Sequence, residues 1–321
     1  MLCRVADSVF WMSRYLERAE NVARFIDVTS AIALGYRGRE ETLWSSLLHA
    51  GGDVENFRKA FEVPTRANVL RFLLFDRGNP NSVISCLTQA RENARSIREI
   101  LTTPMWEAVN RFYLRVREAS TTADHVLAQP HPILEQIKRS AHQVVGVTSA
   151  TWSRDESWQF STMGSLLERA DKTSRILDVK YFILLPAASR TGAGVDVIQW
   201  AALLESTSAL QMYRRAFGRI EPARVVEFLV LNSGFPRSLR FCVWQADAAL
   251  RAITGSPPHG FSNSAEQLLG QLNSQLSYAR VSEILGSGLH EFVDDFQMRL
   301  NLAGDAVSET FFRVSPPDRV S

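Results

Sequence analysis

Hydrophobic and polar positions follow a helical period along almost the whole chain. Between Ser13 and Val28, the apolar set Tyr15, Ala19, Val22, Ala23 and Ile26 recurs at helical spacing. At about 100° per residue, Glu17, Glu20, Arg24 and Asp27 fall on the opposite side, within roughly 80° of one another. A second stretch, Gly164 to Val179, behaves the same way: Glu168, Asp171, Arg175 and Asp178 oppose Leu166, Ala170, Thr173 and Leu177. Sustained period-two alternation and Asn-Gly hairpin signals are missing, so the pattern predicts an all-α protein.

The breaks in the pattern divide it into elements. A long first helix is expected over 4–34, ended by Gly35 and Gly38, and shorter ones over 39–50, 53–61 and 67–75. Asn79-Pro80 reads as an N-cap followed by proline at the first helical position, opening a helix through Leu101. Thr103-Pro104 repeats that signature for a helix to Thr121. Further helices are expected over 133–151, from Asp155 to near Pro186, over 265–285 and over 289–312.

The two charged stretches are copies of one another. Leu16, Glu17, Arg18, Ala19, Arg24, Asp27 and Val28 recur as Leu167, Glu168, Arg169, Ala170, Arg175, Asp178 and Val179, at a constant offset of 151 (168 − 17). Farther on, Trp44, Phe72, Pro80, Ser82 and Cys86 recur as Trp200, Phe228, Pro236, Ser238 and Cys242, at an offset of 156. The change of offset places extra residues in a glycine-containing linker near 189–195. The expected product is two helical repeats, 1–150 and 151–313, related by a pseudo-twofold and packed into one bundle-like unit, with 314–321 as a flexible tail.

The charged stripes have two readings. As a solvated face they would gain only about 0.2–0.5 kcal/mol per i,i+4 ion pair, which is little reason for two matching copies. As a polar surface facing its twin or a partner, they make Glu17, Arg18, Glu20, Arg24 and Asp27 in the first copy, and Glu168, Arg169, Asp171, Arg175 and Asp178 in the second, the candidate network or partner-binding residues. The pairs Glu17–Arg24 and Glu168–Arg175 are each expected to share one network.

Composition narrows the classes. A net charge of +2 argues against a dedicated nucleic-acid binder. Cys3, Cys86 and Cys242 are too few and scattered for a disulfide framework or a zinc site, so a reducing cytoplasm is expected. The first residues lack the apolar core of a signal peptide, and no apolar run reaches a membrane span. Phosphate-loop and dinucleotide glycine motifs are absent, and the six histidines form neither an i,i+4 pair nor a Glu-x-x-His motif. No cofactor is expected. An all-carboxylate magnesium site from Glu17, Glu20, Glu168 and Asp171 stays open on carboxylate chemistry, against the competition of Arg18, Arg24, Arg169 and Arg175.

Three motifs together resemble one family. They are the opening run from Arg4 through Phe10-Trp-Met-Ser-Arg-Tyr-Leu-Glu-Arg-Ala-Glu20; the middle run Ala90-Arg-Glu-Asn-Ala-Arg95 with Arg98-Glu99, Met105-Trp106-Glu107 and Asn110; and Ser153-Arg-Asp-Glu-Ser-Trp-Gln-Phe160 leading into Leu167-Glu-Arg-Ala-Asp171. These resemble the bacterial alpha-E domain family over nearly the whole chain. Ser165 departs from the pattern, where a larger and often basic residue is expected, which argues against functional equivalence of the two copies. The resemblance implies a helical protein without an established reaction, encoded beside an ATP-grasp peptide-ligase-like protein and a transglutaminase-like protein. It thus implies a non-catalytic partner in making, modifying or processing a peptide. The alternative is an enzyme with an acidic and arginine-lined site between the two Glu-Arg helices, acting on a peptide or amino acid.

Overall fold

The computed structural model describes residues 1–34, 38–184 and 193–313. All regular structure among them is helical. The first half runs α1 (Cys3–Ala33), α2 (Glu40–Gly51), α3 (Val54–Ala60), α4 (Arg66–Leu74), α5 (Val83–Ser96), α6 (Thr103–Thr121), α7 (Ala123–Ala128) and α8 (His131–Thr151). The second runs α9 (Glu156–Leu184), α10 (Ala193–Ser206), α11 (Leu210–Phe217), α12 (Pro222–Leu231), α13 (Leu239–Thr254), α14 (Ser264–Tyr278), α15 (Val281–Ser287) and α16 (Leu289–Phe311).

Four expected boundaries shift, each for a local reason. Asn79 does not cap a helix; its side chain accepts from the Asn81 amide inside a turn, and Ser82 caps α5 by accepting from Ser85 N. Thr102, not Thr103, caps α6, which leaves Pro104 in the first turn, where a missing N–H costs nothing. The element expected over 265–285 is two helices. It breaks at an extended Ala279, and Glu283 accepts from the Arg280 amide to start α15. The expected glycine linker is helical from Ala193; residues 185–192, which include the start of the 189–195 linker expected to carry the extra residues, and the tail 314–321 lie outside the described residues.

Helices α1 and α9 form the centre. They pack on each other, and each carries its own set: α5, α8 and α10 lie on α1, while α13, α16 and α2 lie on α9. In the same pattern α6 bridges α5 and α8, and α14 bridges α13 and α16. Because neighbours surround both central helices, their polar sides are covered too. Glu17, Glu20, Asn21, Arg24, Glu168 and Asp171 are buried along with Phe10, Met12, Ala19 and Leu177. The solvated-face reading therefore fails: a wheel puts these charges on one stripe, but the packing encloses that stripe.

Matched contacts recur at the sequence offsets. Phe57, Phe61 and Phe72 form an aromatic cluster with edge-to-face contacts, and Tyr213, Phe217 and Phe228 form its counterpart. Ser82 donates to Asp76 O, and Ser238 to Asn232 O. The Cys86 thiol donates to Pro80 O, and Cys242 to Pro236 O.

The central crossing depends on one missing side chain. A Cβ on Gly164 would lie 2.6 Å from the carbonyl oxygen of Phe10, a backbone atom of α1. Neither helix can yield without moving its neighbours, and overpacking of a tight core costs roughly 1–3 kcal/mol. Gly164→Ala is accordingly expected to lower stability by that amount, read as a lower urea midpoint, whereas Gly146→Ala, with open space around it, should leave the midpoint unchanged or raise it.

Candidate functional site

Reciprocal arginine forks cross the α1–α9 contact. Arg18 donates Nε to Glu168 Oε1 at 2.6 Å and Nη2 to Oε2 at 3.0 Å. Arg169 donates Nε to Glu17 Oε1 at 3.0 Å and Nη2 to Oε2 at 2.8 Å. Planar guanidinium and carboxylate match in this two-bond geometry, which sets register as well as energy. One turn on, Arg24 grips Glu20 with Nε and Nη2, at 2.9 and 2.6 Å, and Arg175 grips Asp171 with Nε, at 3.0 Å from each oxygen. Their remaining nitrogens cap other helices: Arg24 Nη1 donates to Ser206 O at the end of α10, and Arg175 Nη1 to Ala50 O in the last turn of α2. A cation there satisfies otherwise unpaired carbonyls and complements the helix dipole.

Beyond this shared frame the copies differ. Glu168 also binds Arg14 at 2.9 Å, and Lys172 at 3.6 Å. Glu17 has Asn21 and Arg237 instead, the latter donating Nη1 to Glu17 Oε1 and Nη2 to Glu20 Oε1. Arg237 stands 156 residues after Asn81 (237 − 81), whose side chain accepts from Arg18 and donates to Asp53. Two of the expected residues stand apart from the network. Asp27 pairs with Lys138, and Asp178 lies 2.7 Å from His290 Nδ1. So the structure brings together Glu17, Glu20, Arg24 and Arg169 in one group and Glu168, Asp171, Arg18 and Arg175 in the other. Arg14, Lys172, Arg237 and His142, whose Nε2 lies 3.3 Å from Glu20 Oε1, join groups where sequence reasoning did not place them. The position of Arg237 on the matched Pro-x-Ser stretch, one residue before Ser238, was the available signal for it.

The electrostatics follow from burial against pairing. Burial pushes the Glu168 carboxyl up, but Arg18, Lys172 and Arg14 outweigh it and hold the group well below the usual carboxylate range. Burial likewise makes Glu20 costly to ionise, but Arg237, the His142 hydrogen bond and Arg24 outweigh it, and this carboxyl also ends well below that range. Glu17 is lowered against burial by Arg169 and Arg237, and Asp171 is lowered to about 2 by Lys172 and Arg175. Arg24 is itself lowered, by burial and by the neighbouring Arg237, despite Glu20. Burial pushes the Cys86 and Cys242 thiols up to about 12, which leaves them protonated and poorly nucleophilic near neutrality. The magnesium alternative finds its carboxylates occupied by arginine and lysine, and among the described residues no group of histidine, cysteine, aspartate and glutamate is placed to hold a metal ion.

An open cavity of about 300 Å³ reaches this network from one side. Its floor includes Leu16, Glu17, Glu20 and Arg169; α8 supplies Val144, Val145 and Thr148; and Ser161, Thr162, Ser165 and Trp158 come from α9. The corresponding place in the other half, lined by Leu167, Asp171 and α16, is a remnant of about 70 Å³. Trp11 and Arg14 fill it, with the Arg14 guanidinium 5.0 Å from the Trp11 ring centroid and bonded to Glu168. At the offset of 151, Thr162 and Ser165 stand where Trp11 and Arg14 do. The departure at Ser165 is thus the physical origin of the cavity.

Among the described residues, no helix is long and apolar enough to cross a membrane. No solved structure matches the chain significantly. An uncharacterized protein of Mycobacterium bovis is 25% identical over 303 residues, which is 88% of this chain and 33% of that protein. Uncharacterized proteins of two Mycobacterium tuberculosis strains match at 25% and 24% over the same shares. The chain therefore spans about a third of the length of the curated relatives it matches. The Alpha-E family, described as a predicted alpha-helical domain with a conserved ER motif, matches residues 1–312, and the two Glu-Arg turns at Glu17-Arg18 and Glu168-Arg169 are the forks at the centre of this fold: the chain belongs to the Alpha-E family.

Proposed function

We propose that this chain is a non-catalytic helical partner of an ATP-grasp peptide-ligase-like and transglutaminase-like system that makes, modifies or processes a peptide in the cytoplasm. The observation that carries the reading is the pairing of the stripes: Glu17, Glu20, Glu168 and Asp171 are each bonded to at least one arginine and buried. Their chemistry is used in holding α1 against α9 and in capping α2 and α10, so activity is expected from elsewhere. Relatives in which a similar unit makes up about a third of a longer chain fit a unit that works beside other domains. In this reading the two halves are pseudo-twofold repeats, and the reciprocal forks and matched caps are its support.

The alternative, an enzyme between the Glu-Arg helices, has the open cavity beside Glu17 in its favour. Glu17 is nonetheless a poor general base: held ionised by Arg169 and Arg237, its carboxyl lies below its ordinary value, whereas proton transfer near neutrality calls for a raised one. The test is turnover by the purified chain with ATP and peptide, alone and with the ATP-grasp-type protein added. The expected results are no turnover alone and co-purification with that protein. Turnover by the pure chain, lost in a folded Glu17→Gln variant, would establish the enzyme instead.

A further inference from the structure

The cavity left by Ser165 and Thr162 holds an acceptor that its counterpart uses. Glu168 Oε2 accepts two donors, Arg14 Nε at 2.9 Å and Arg18 Nη2 at 3.0 Å. Glu17 Oε2 accepts one, Arg169 Nη2 at 2.8 Å. A carboxylate oxygen has room for two. Glu17 is only 4% exposed and lines the cavity, so a guest there meets an acceptor that is buried and half satisfied.

Charge decides what kind of donor belongs there. Without Arg14, the filled half sets Glu168, Asp171 and Asp53 against Arg18, Lys172 and Arg175, so the guanidinium enters a balanced site. The open half sets Glu17 and Glu20 against Arg24, Arg169 and Arg237, an excess of one cation before any guest arrives. It differs because Arg237 replaces Asn81 and Ala209 stands in the place of Asp53, while Asn21 stands in the place of Lys172, a net gain of one positive charge (+1 + 1 − 1). Unlike charges gain and like charges lose about 4 kcal/mol at 4 Å near a protein surface. A further guanidinium is therefore disfavoured. An anion would have to approach the two carboxylates on the floor. A neutral donor meets neither objection. The walls ask for the rest of the ligand: Leu16, Val144 and Leu166 accept an aliphatic stem, and the Thr162 hydroxyl and the Gln245 amide can donate to a carbonyl oxygen, the Ser165 hydroxyl being engaged with Thr162 O and that of Ser161 with Ser13.

We propose that this cavity binds an uncharged primary carboxamide on an aliphatic stem, the chemistry of a glutamine or asparagine side chain, with its N–H donating to Glu17 Oε2. The site is a property of the chain alone and stands whether or not the partner reading does. Calorimetric titration of the full chain with N-acetylglutamine methylamide tests it, with N-acetylglutamate methylamide and N-acetylarginine methylamide as charged controls. The carboxamide is expected to bind at one site, about tenfold or more tighter than either control. Free glutamine separates the sources: equal binding means a free amino acid, and loss of binding means a side chain within a peptide, the site standing in both cases. Ser165→Arg rebuilds the filled half, so it should reduce carboxamide binding about tenfold or more. Ser165→Leu fills the space without a donor and should do the same if the arginine variant does not fold. No saturable binding of the carboxamide to the folded chain, binding unchanged in a folded Ser165 variant, or tighter binding of a charged control would overturn the proposal.

Discussion

Glu168→Ala is expected to cost roughly 3–5 kcal/mol of folding stability, the range for removing one partner from a buried ion pair. The side chain is 0% exposed and receives Arg14, Arg18 and Lys172, all three mostly buried. Truncation leaves Arg14 and Arg18 without their ion-pair partner, while Lys172 keeps only Asp171. An exposed pair would contribute only about 0–1 kcal/mol, so the size of the loss separates an enclosed network from a solvated face. Urea denaturation reads it as a lower midpoint with an unchanged slope. Glu227→Ala, which removes an exposed pair with Arg224, is the control and should change stability by less than about 0.5 kcal/mol. A loss of less than about 1 kcal/mol for Glu168→Ala would mean that solvent screens the network.

Acid should unfold this protein through the same carboxylates. Glu17, Glu20, Glu168 and Asp171 all have folded-state values below their ordinary ones. For such groups the stabilisation is complete above the unfolded value, near pH 4–5, and is lost as pH falls through the folded value. Asp171, lowered from 3.8 to about 2, contributes about 2 kcal/mol by itself. Asp53, Asp178 and Asp7 act in the opposite sense, because burial raises each of them; they favour the folded state as pH falls and offset part of the loss. The fully buried set has more members and stronger partners, so the net slope is set by it. Urea midpoints are expected to be flat from pH 7 to about 5 and to fall steeply toward pH 2. A midpoint that holds or rises between pH 5 and 3 would show that the carboxylates are not paired in the folded state.

The central helices were legible because their signals are long. Thirty-one residues of α1 carry a helical period and a charged motif that returns 151 positions later. The shortest element of the first half was not: α7 has six residues and no capping side chain, too little pattern to stand out from the turns around it. The cap of α5 was misplaced by three residues: Asn79-Pro80 carries the cap signature, but Asn79 is used in a turn and Ser82 caps the helix. The stripe itself could be placed on one face of each helix from spacing. Its enclosure could not, because a helical wheel gives angles within one helix and says nothing of α10, α13 or α2 lying over that face. The same limit hid Arg237, which reaches Glu17 and Glu20 from the turn before α13. The cavity was half visible. Ser165 stood out as a departure from its copy, but only the packing of Trp11 and Arg14 in the other half reveals what that departure removes.

The Glu-Arg turns join α1 to α9 through reciprocal forks. A double-mutant cycle on Glu17→Gln, an isosteric change, and Arg169→Met, which keeps an unbranched stem without the guanidinium, measures that joint directly by urea denaturation. If each side chain is the buried partner of the other, the two single variants together lose more than the double variant, by more than about 1.5 kcal/mol. Losses that add to within about 0.5 kcal/mol would contradict it, since independent sites behave that way.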